Sequence, residues 1–340
     1  MSIARLIIFI CAASILLTAA PAQCESVAAM DFRGKEVRLP RPARRVVCLI
    51  ESALSGIYML KQGNRVIAVS RNVYQEPVKT FYAALDPRLA KGELPAPGNW
   101  DFVSLERVVA LKPDLVLIWA HQTEAISSLE ARGIPVYGVF IKSLADVYEE
   151  IDGLGKLLGA RERAAELTAL CKDRLRVLAA RLNTARLERP RVYFMWAQGP
   201  LETSGAGSMV DELIRLAGGE NVAAGIAQEH MVVNLERLLS WNPQVVLMWN
   251  NPRLTPKALL ERPAWRAIEA GRSQRVHMLP PVFYCDLWTL KFAHAAYLTA
   301  AWCHPRSMEG LDLDAERRAF FAQLYGPRIL KALAPERAAK

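Results

Sequence analysis

Apolar and polar positions along this chain follow two periods, and the longest coherent pattern occurs twice. Val103–Trp119 (VSLERVVALKPDLVLIW) and Val233–Trp249 (VNLERLLSWNPQVVLMW) lie 130 residues apart and agree at 8 of 17 positions. Each copy predicts a short helix, a break at Pro113 or Pro243, and then a continuous apolar strand. A supersecondary unit repeated at domain-sized spacing predicts two similar lobes, because a solenoid would repeat every ~20–50 residues.

The remaining pattern fills in those lobes. Residues 25–45 predict an extended lead-in with a hairpin turn over Asp31–Lys35. Arg45–Ile50 and Arg65–Ser70 predict strands, with a helix between them capped by Ser52 and reaching Leu60. Residues 71–102 predict a long proline-rich loop, whose aromatics Tyr74, Phe81, Tyr82 and Trp100 mark it as functional. After the first repeat come a helix over Thr123–Arg132, a strand over Ile134–Phe140 and a helix from a Ser143/Asp146 capping box to Leu158. Alternating helices and continuous apolar strands predict parallel sheets covered on both faces.

Residues 161–187 contain no proline or glycine, and Ala164, Leu167, Leu170, Cys171, Leu175, Leu178 and Leu182 fall on one helical stripe. A helix of that length spans roughly 40 Å and makes a stiff connector. The pattern then restarts. Arg191–Trp196 predicts a strand, Ser208 caps a helix ending at Gly218-Gly219, and the second repeat follows. Short helices over 256–270, a strand over Arg275–Leu279 and helices over Leu287–Cys303 and Ala315–Tyr325 complete it. The fold class is therefore α/β, with an N-terminal lobe over 25–160, a linker helix over 161–187 and a C-terminal lobe over 188–330.

The first 24 residues change the picture of where the chain works. Arg5, the apolar run Leu6–Leu17 and Ala20-Pro21-Ala22 have the order of a cleavable signal peptide, and the apolar run is short for a membrane span. The expected product is an exported, periplasmic, soluble monomer. Cys24 raises the alternative of a membrane-anchored lipoprotein, which Gln23 argues against because a lipidation site wants a small residue there. Cys48, Cys171, Cys285 and Cys303 then remain, and they either pair (Cys285 with Cys303 being nearest) or stay as buried thiols. The formal charge of +9 suits an anionic ligand. Its arginines and lysines are scattered, with no interleaved aromatic stripe, so no nucleic acid is expected.

Candidate chemistry collects where strands end. His121 follows the strand of the first repeat, at the carboxyl edge where open α/β sheets bind ligands, and His230 precedes the second repeat. Two histidines near equivalent edges make them candidates for a shared ligand or metal, against the alternative of ordinary surface histidines. His277, His294 and His304 complete the set, and Tyr284 and Trp288 in PVFYCDLW form a third candidate edge. Ser204–Ser208 (SGAGS) reads as a tight strand-to-helix turn rather than an anion cradle, since it lacks the lysine of a P-loop. Gly153-x-Gly155 lies in a helix and is no dinucleotide fingerprint. Glu106 and Glu236 occupy the first turn of equivalent helices. Residue chemistry leaves two readings open: carboxylates favoured by the helix dipole, or matched charges for a two-fold partner. No nucleophile–base motif of a hydrolase is present, which leaves an exported α/β hydrolase as the minor alternative.

Several motifs in order carry a resemblance over about residues 44–305: RRVVCLIESALSGIYML, SLERVVALKPDLVLIW, GIPVYGVFIKSLADVYEEIDGLGKLLG, LETSGAGSMVDELIRLAGGENVA and NLERLLSWNPQVVLMW. They are similar to those of the periplasmic solute-binding proteins of ABC importers for iron–siderophore, haem and cobalamin, the class III group with a rigid helical backbone. The resemblance implies two Rossmann-like lobes around an interlobe ligand, no catalysis and no covalent cofactor. It also implies a permease dimer with its ATPase as partner, docked through Glu106 and Glu236. The implied cargo is a metal chelate, iron–siderophore or haem first, with cobalamin, nickel or an oxyanion as alternatives. The expected ligand contacts are Arg71, Tyr74, Trp100, His121, Trp196, His230, Arg253, Tyr284 and Trp288. Trp119 and Trp249 read either as further walls or as core at strand ends.

Overall fold

Two four-stranded parallel sheets carry the repeat into three dimensions. The computed structural model describes residues 26–183 and 188–333. The leader over 1–24 with Cys24, the predicted linker end at 184–187 and the tail over 335–340 lie outside the described residues. In the N-terminal sheet the order is Val66–Val69, Val46–Cys48, Leu115–Trp119, Val136–Val139. In the C-terminal sheet it is Glu220–Asn221, Arg191–Met195, Val245–Met248, Val276–Met278. Counted along the chain, both orders are second, first, third, fourth. The direction of winding therefore reverses between the first and third strands of each lobe, the position where a crevice opens at the carboxyl ends.

The repeated stretches fold alike. Each gives a short helix, Leu105–Ala110 or Leu235–Trp241, and a buried strand. The residue after each proline turns its side chain to the start of the lobe's first strand. Asp114 Oδ1 accepts from the Arg45 N–H at 2.8 Å, and Gln244 Oε1 accepts from the Arg191 N–H at 3.0 Å.

The linker helix spans Arg161–Asn183 among the described residues and buries Ala164, Leu167, Cys171, Leu175, Leu178 and Leu182; Leu170 is only partly covered. Gly155 lets it cross the preceding helix closely, since a Cβ there would lie 2.5 Å from Ala164 Cβ. The Ser143/Asp146 capping box is formed at both hydrogen bonds. No described helix is long and apolar enough to cross a membrane.

Three local expectations change, and the open choice for the cysteines is resolved. Ser52 does not cap its helix. The N-cap is Ile50, and Ser52 is buried with its hydroxyl unpartnered. The 71–102 stretch is not one loop, because Val78–Leu85 and Pro87–Ala90 are helical. Its Phe81 stacks on Phe283 of the other lobe, with centroids 4.5 Å apart and planes at 4°, so Phe81 and Tyr82 are interlobe core. The Leu287–Cys303 helix begins only at Phe292, after a short helix over Val282–Cys285. Cys285 and Cys303 are not bonded to each other; all four described cysteines are buried thiols.

One contiguous core runs from the N-terminal sheet through the linker helix to the C-terminal sheet. The C-terminal helix Leu313–Tyr325 closes it against the N-terminal lobe, where the Tyr325 and Ser55 hydroxyls are 2.5 Å apart. The lobes are thus joined by the linker, by this helix, by the Phe81–Phe283 stack and by the Leu144 N–H, which donates to Glu212 Oε2 at 2.8 Å.

Candidate ligand site between the lobes

The C-terminal lobe builds a wall from three tryptophans, each delivered by a strand end or the segment after it. Trp196 follows Arg191–Met195, Trp249 follows Val245–Met248, and Trp288 comes after the last strand. Trp196 and Trp288 are stacked at 6.2 Å and 14°, and Trp249 lies 5.4 Å from Trp196 and 5.9 Å from Trp288. Phe194 backs Trp196 edge-on at 4.7 Å. Trp196 is nearly buried, and its indole N–H donates to Ser204 Oγ at 2.8 Å, which locks its plane. His230 stacks on Trp196 at 4.5 Å and 19° with its ring exposed. Trp196, His230, Trp249 and Trp288 are thus brought together.

The N-terminal lobe presents a smaller counterpart. His121 is exposed and lies 6.2 Å from Trp119, with planes 28° apart. The Trp119 indole N–H and the Gln122 Oε1 are buried without a hydrogen-bond partner. An orphan donor and an orphan acceptor beside the end of one strand are groups a ligand can satisfy. Trp100 is 55% exposed, and its turn is tied to this edge by Gln122 Nε2, which donates to the Asn99 carbonyl at 3.2 Å. Trp119, Trp249 and Trp288 all pack partly buried on the core that runs through both lobes. Trp119 and Trp249 are core on one side and partly exposed on the other.

Two expected wall residues are elsewhere. Tyr284 is 6% exposed and packs among Phe81, Phe321 and the Arg317 guanidinium. Tyr74 sits half-buried on the core with its hydroxyl donating to the Leu94 carbonyl at 2.7 Å. In both cases apolar packing partners distant in sequence claim the ring. Arg71 and Arg253 are exposed, and only their backbone N–H groups are engaged, with Gly98 O and Asn251 Oδ1. The Asn251 amide ties the loop after Trp249 to the Ala197 carbonyl at 3.1 Å.

The remaining histidines serve structure: His277 stacks on Trp302 at 5.1 Å, His294 is buried, and His304 Nε2 meets the Gly218 carbonyl at 3.0 Å. Burial pushes the His277 imidazole down to about 4. The SGAGS stretch is a tight turn. The Gly205 and Ala206 N–H groups donate to Gln228 O and Ile226 O, and a Cβ at Gly205 would lie 1.8 Å from Ile226 O. These two amides are therefore committed to the turn. Among the described residues no group of three His, Cys, Asp or Glu could hold a metal ion, so His121 and His230 form no closed metal site of the protein's own.

Glu106 and Glu236 are both exposed in the first turn of their helices, and neither carboxylate enters an ion pair or hydrogen bond among the described residues. Exposed apolar side chains flank each: Trp100 and Phe102 on one lobe, Val232, Leu235 and Leu239 on the other. The group that pattern reading missed is Gln122, whose buried Oε1 has no hydrogen-bond partner near the orphan Trp119 indole N–H; a lone glutamine after a strand carries no signal of its own.

Comparison with known proteins finds relatives of one family and fold. Residues 46–282 match the profile of a family described as periplasmic binding protein. The molybdate-binding protein MolA of Haemophilus influenzae is 24% identical over 321 residues, covering 87% of this chain and 90% of that protein. A vitamin B12-binding protein of Vibrio parahaemolyticus is 27% identical over 207 residues, 60% of this chain and 70% of that one. Among solved structures, Helicobacter pylori CeuE with Ni(II) bound superposes with a TM-score of 0.76 at 20% identity, covering 91% of this chain and all of that one. A periplasmic solute-binding protein of Veillonella parvula gives 0.76 at 22% identity, covering 88% and 93%.

Proposed function

The chain belongs to the periplasmic binding protein family and is a substrate-binding protein of an ABC importer, and we propose that its cargo is a bulky metal chelate, an iron–siderophore or haem. It binds and hands over; it does not turn over a substrate. The observation that carries the reading is the wall of Trp196, Trp249 and Trp288 with His230 exposed on its face. The half-buried Trp249 and Trp288, backed by the buried Trp196, offer a rigid, polarisable surface suited to a ligand with apolar faces. His230 and His121 face the chelated metal or its periphery, and Arg71 and Arg253 supply charge at the rim.

Solved relatives carry varied cargo: CeuE of Helicobacter pylori has been seen with nickel, and a Roseiflexus relative binds haem. A second reading, a bare oxyanion, is favoured by the molybdate-binding relative that spans most of this chain. Cobalamin, the ligand in the name of another relative, is a further alternative. The chain works in the periplasm after export. Glu106 and Glu236 are the docking carboxylates for arginine or lysine side chains on a two-fold permease. Equilibrium titration of the purified protein, followed by tryptophan quenching, tests the cargo with ferrioxamine, haem, cyanocobalamin and molybdate. Saturable quenching by a chelate is expected, and silence across the panel defeats the reading.

A further inference from the structure

Two apolar side chains stand exposed at the same place in the two lobes, and folding explains neither. Phe102 and Val232 immediately precede the two copies of the repeat, 130 residues apart, and are 57% and 75% exposed. Each lies two residues ahead of a helix N-cap, Ser104 or Asn234, whose helix carries Glu106 or Glu236 in its first turn. The next residue in each copy, Val103 or Val233, packs partly buried on its own lobe's core. Side chains of extended backbone alternate between faces. Phe102 and Val232 therefore occupy the outward face, where a polar residue would serve the fold as well.

Both sit on pinned backbone. The Phe102 N–H donates to Asn99 Oδ1 at 3.0 Å, and its carbonyl accepts the Asn99 N–H at 2.8 Å. Val232 pairs with Glu202 in a two-stranded antiparallel ladder, and the following N–H, of Val233, donates to the Leu201 carbonyl at 2.9 Å. A side chain presented from fixed backbone loses little freedom when a partner covers it.

Single exposed apolar residues are ordinary on a protein surface. Here they gather. Trp100 extends the N-terminal patch, and Leu235 and Leu239 extend the C-terminal one. Five of the ten exposed large apolar side chains among the described residues thus lie within six residues of Glu106 or Glu236, which makes two matched patches out of an otherwise scattered set. A partner that covers both must offer an apolar surface and positive charge together, twice over. A second copy of this chain is a poor fit, because it would bring these carboxylates against their own like charge.

We propose that Phe102 and Val232 are paired apolar anchors, each seating in an apolar pocket beside a basic side chain on one of two like subunits of the permease. The proposal rests on the docking reading of Glu106 and Glu236 and adds what holds the complex together. The exposed carboxylates steer and orient the encounter, and the desolvated anchors supply most of the affinity.

Photocrosslinking in cells of the organism that makes the chain tests this. Benzoylphenylalanine replaces Phe102, Val232, Glu106 or Glu236, or, as a control, Val177, which is 46% exposed on the linker helix. Captured partners are identified by mass spectrometry. Positions 102 and 232 are each expected to capture the permease subunit, and position 177 none of it. The Phe102→Ser, Val232→Ser double variant, with circular dichroism unchanged, is expected to bind inner-membrane vesicles of that organism about tenfold more weakly than the wild type. The proposal is overturned if position 102 or 232 fails to capture the permease while 106 or 236 captures it. Capture of a second copy of this chain in its place, or a double variant that binds vesicles within twofold of the wild type, also overturns it. Capture of the permease from none of the four positions overturns the docking reading itself, a result distinct from docking that ignores the anchors.

Discussion

Trp196 and Trp288 lie nearly parallel, 14° apart with centroids separated by 6.2 Å, although they enter the wall from opposite ends of the C-terminal lobe's chain. Trp196 is pinned by Ser204 and is 3% exposed, while Trp288 is half-buried. Trp288→Ala should therefore lower affinity for the cargo by about tenfold or more and leave the fold intact. Trp196→Ala should in addition cost about 3–5 kcal/mol of stability, as buried aromatic truncations do. Titration and urea unfolding of the two variants separate these effects. A Trp288→Ala protein that binds like the wild type would exclude the wall as the binding surface.

The two unpaired carboxylates predict a transport defect without a binding defect. Reversing Glu106 and Glu236 to Lys places positive charge where a basic partner docks, and like-charge juxtaposition opposes association. Uptake of cargo by cells carrying the double variant should fall at least about tenfold, while the purified variant titrates as the wild type. Both residues are exposed, so stability should shift by no more than about 0.5 kcal/mol. Unimpaired uptake would assign both residues to the helix dipole alone.

The repeat, the strand positions and the linker helix were legible because each rests on local periodicity. Leu115–Trp119 and Val245–Met248 announce themselves as apolar runs after a proline. The fate of an aromatic beside a strand end was not legible. Trp288 and Tyr284 stand four positions apart with the same local character; one joins the wall and the other enters the core under Arg317. That choice is made by Phe81 and by the C-terminal helix, contacts that no local pattern encodes.

Glu150 predicts a stability that falls as pH rises. Burial raises its carboxyl from 4.5 to about 8, with the Asp286 charge adding to the rise. Its folded-state pKa exceeds the unfolded value, so the native protein binds the extra proton. The associated stability is complete below about pH 4.5 and is lost as pH rises to about 8. The groups facing Glu150 are Asp286 from the other lobe, Tyr137 from the adjacent strand and Cys48 from the central strand. Lys291, whose ammonium burial lowers to about 8, stays charged through most of this window and adds little slope. Glu150→Gln should flatten the pH dependence between pH 5 and 8 and gain roughly 2–4 kcal/mol at pH 8 relative to the wild type. Denaturant unfolding at several pH values measures this, and parallel curves for the two proteins would place the titrating group elsewhere.

Phe283 makes the lobes one cooperative unit. Its ring stacks on Phe81 at 4.5 Å, meets Tyr82 at 5.7 Å and Tyr325 at 5.7 Å, and lies 4.4 Å from Lys291 Nζ. Phe283→Ala removes the interlobe stack and leaves a cavity beside a buried ammonium, costing about 3–5 kcal/mol. Each lobe keeps its own sheet, so the loss falls on their coupling. The wild type should unfold in a single transition by both tryptophan fluorescence and circular dichroism. Phe283→Ala should unfold earlier, with the two probes no longer coincident, because most of the wall tryptophans report on the C-terminal lobe alone. Coincident transitions at the wild-type midpoint would show that the linker and the C-terminal helix hold the lobes without this ring.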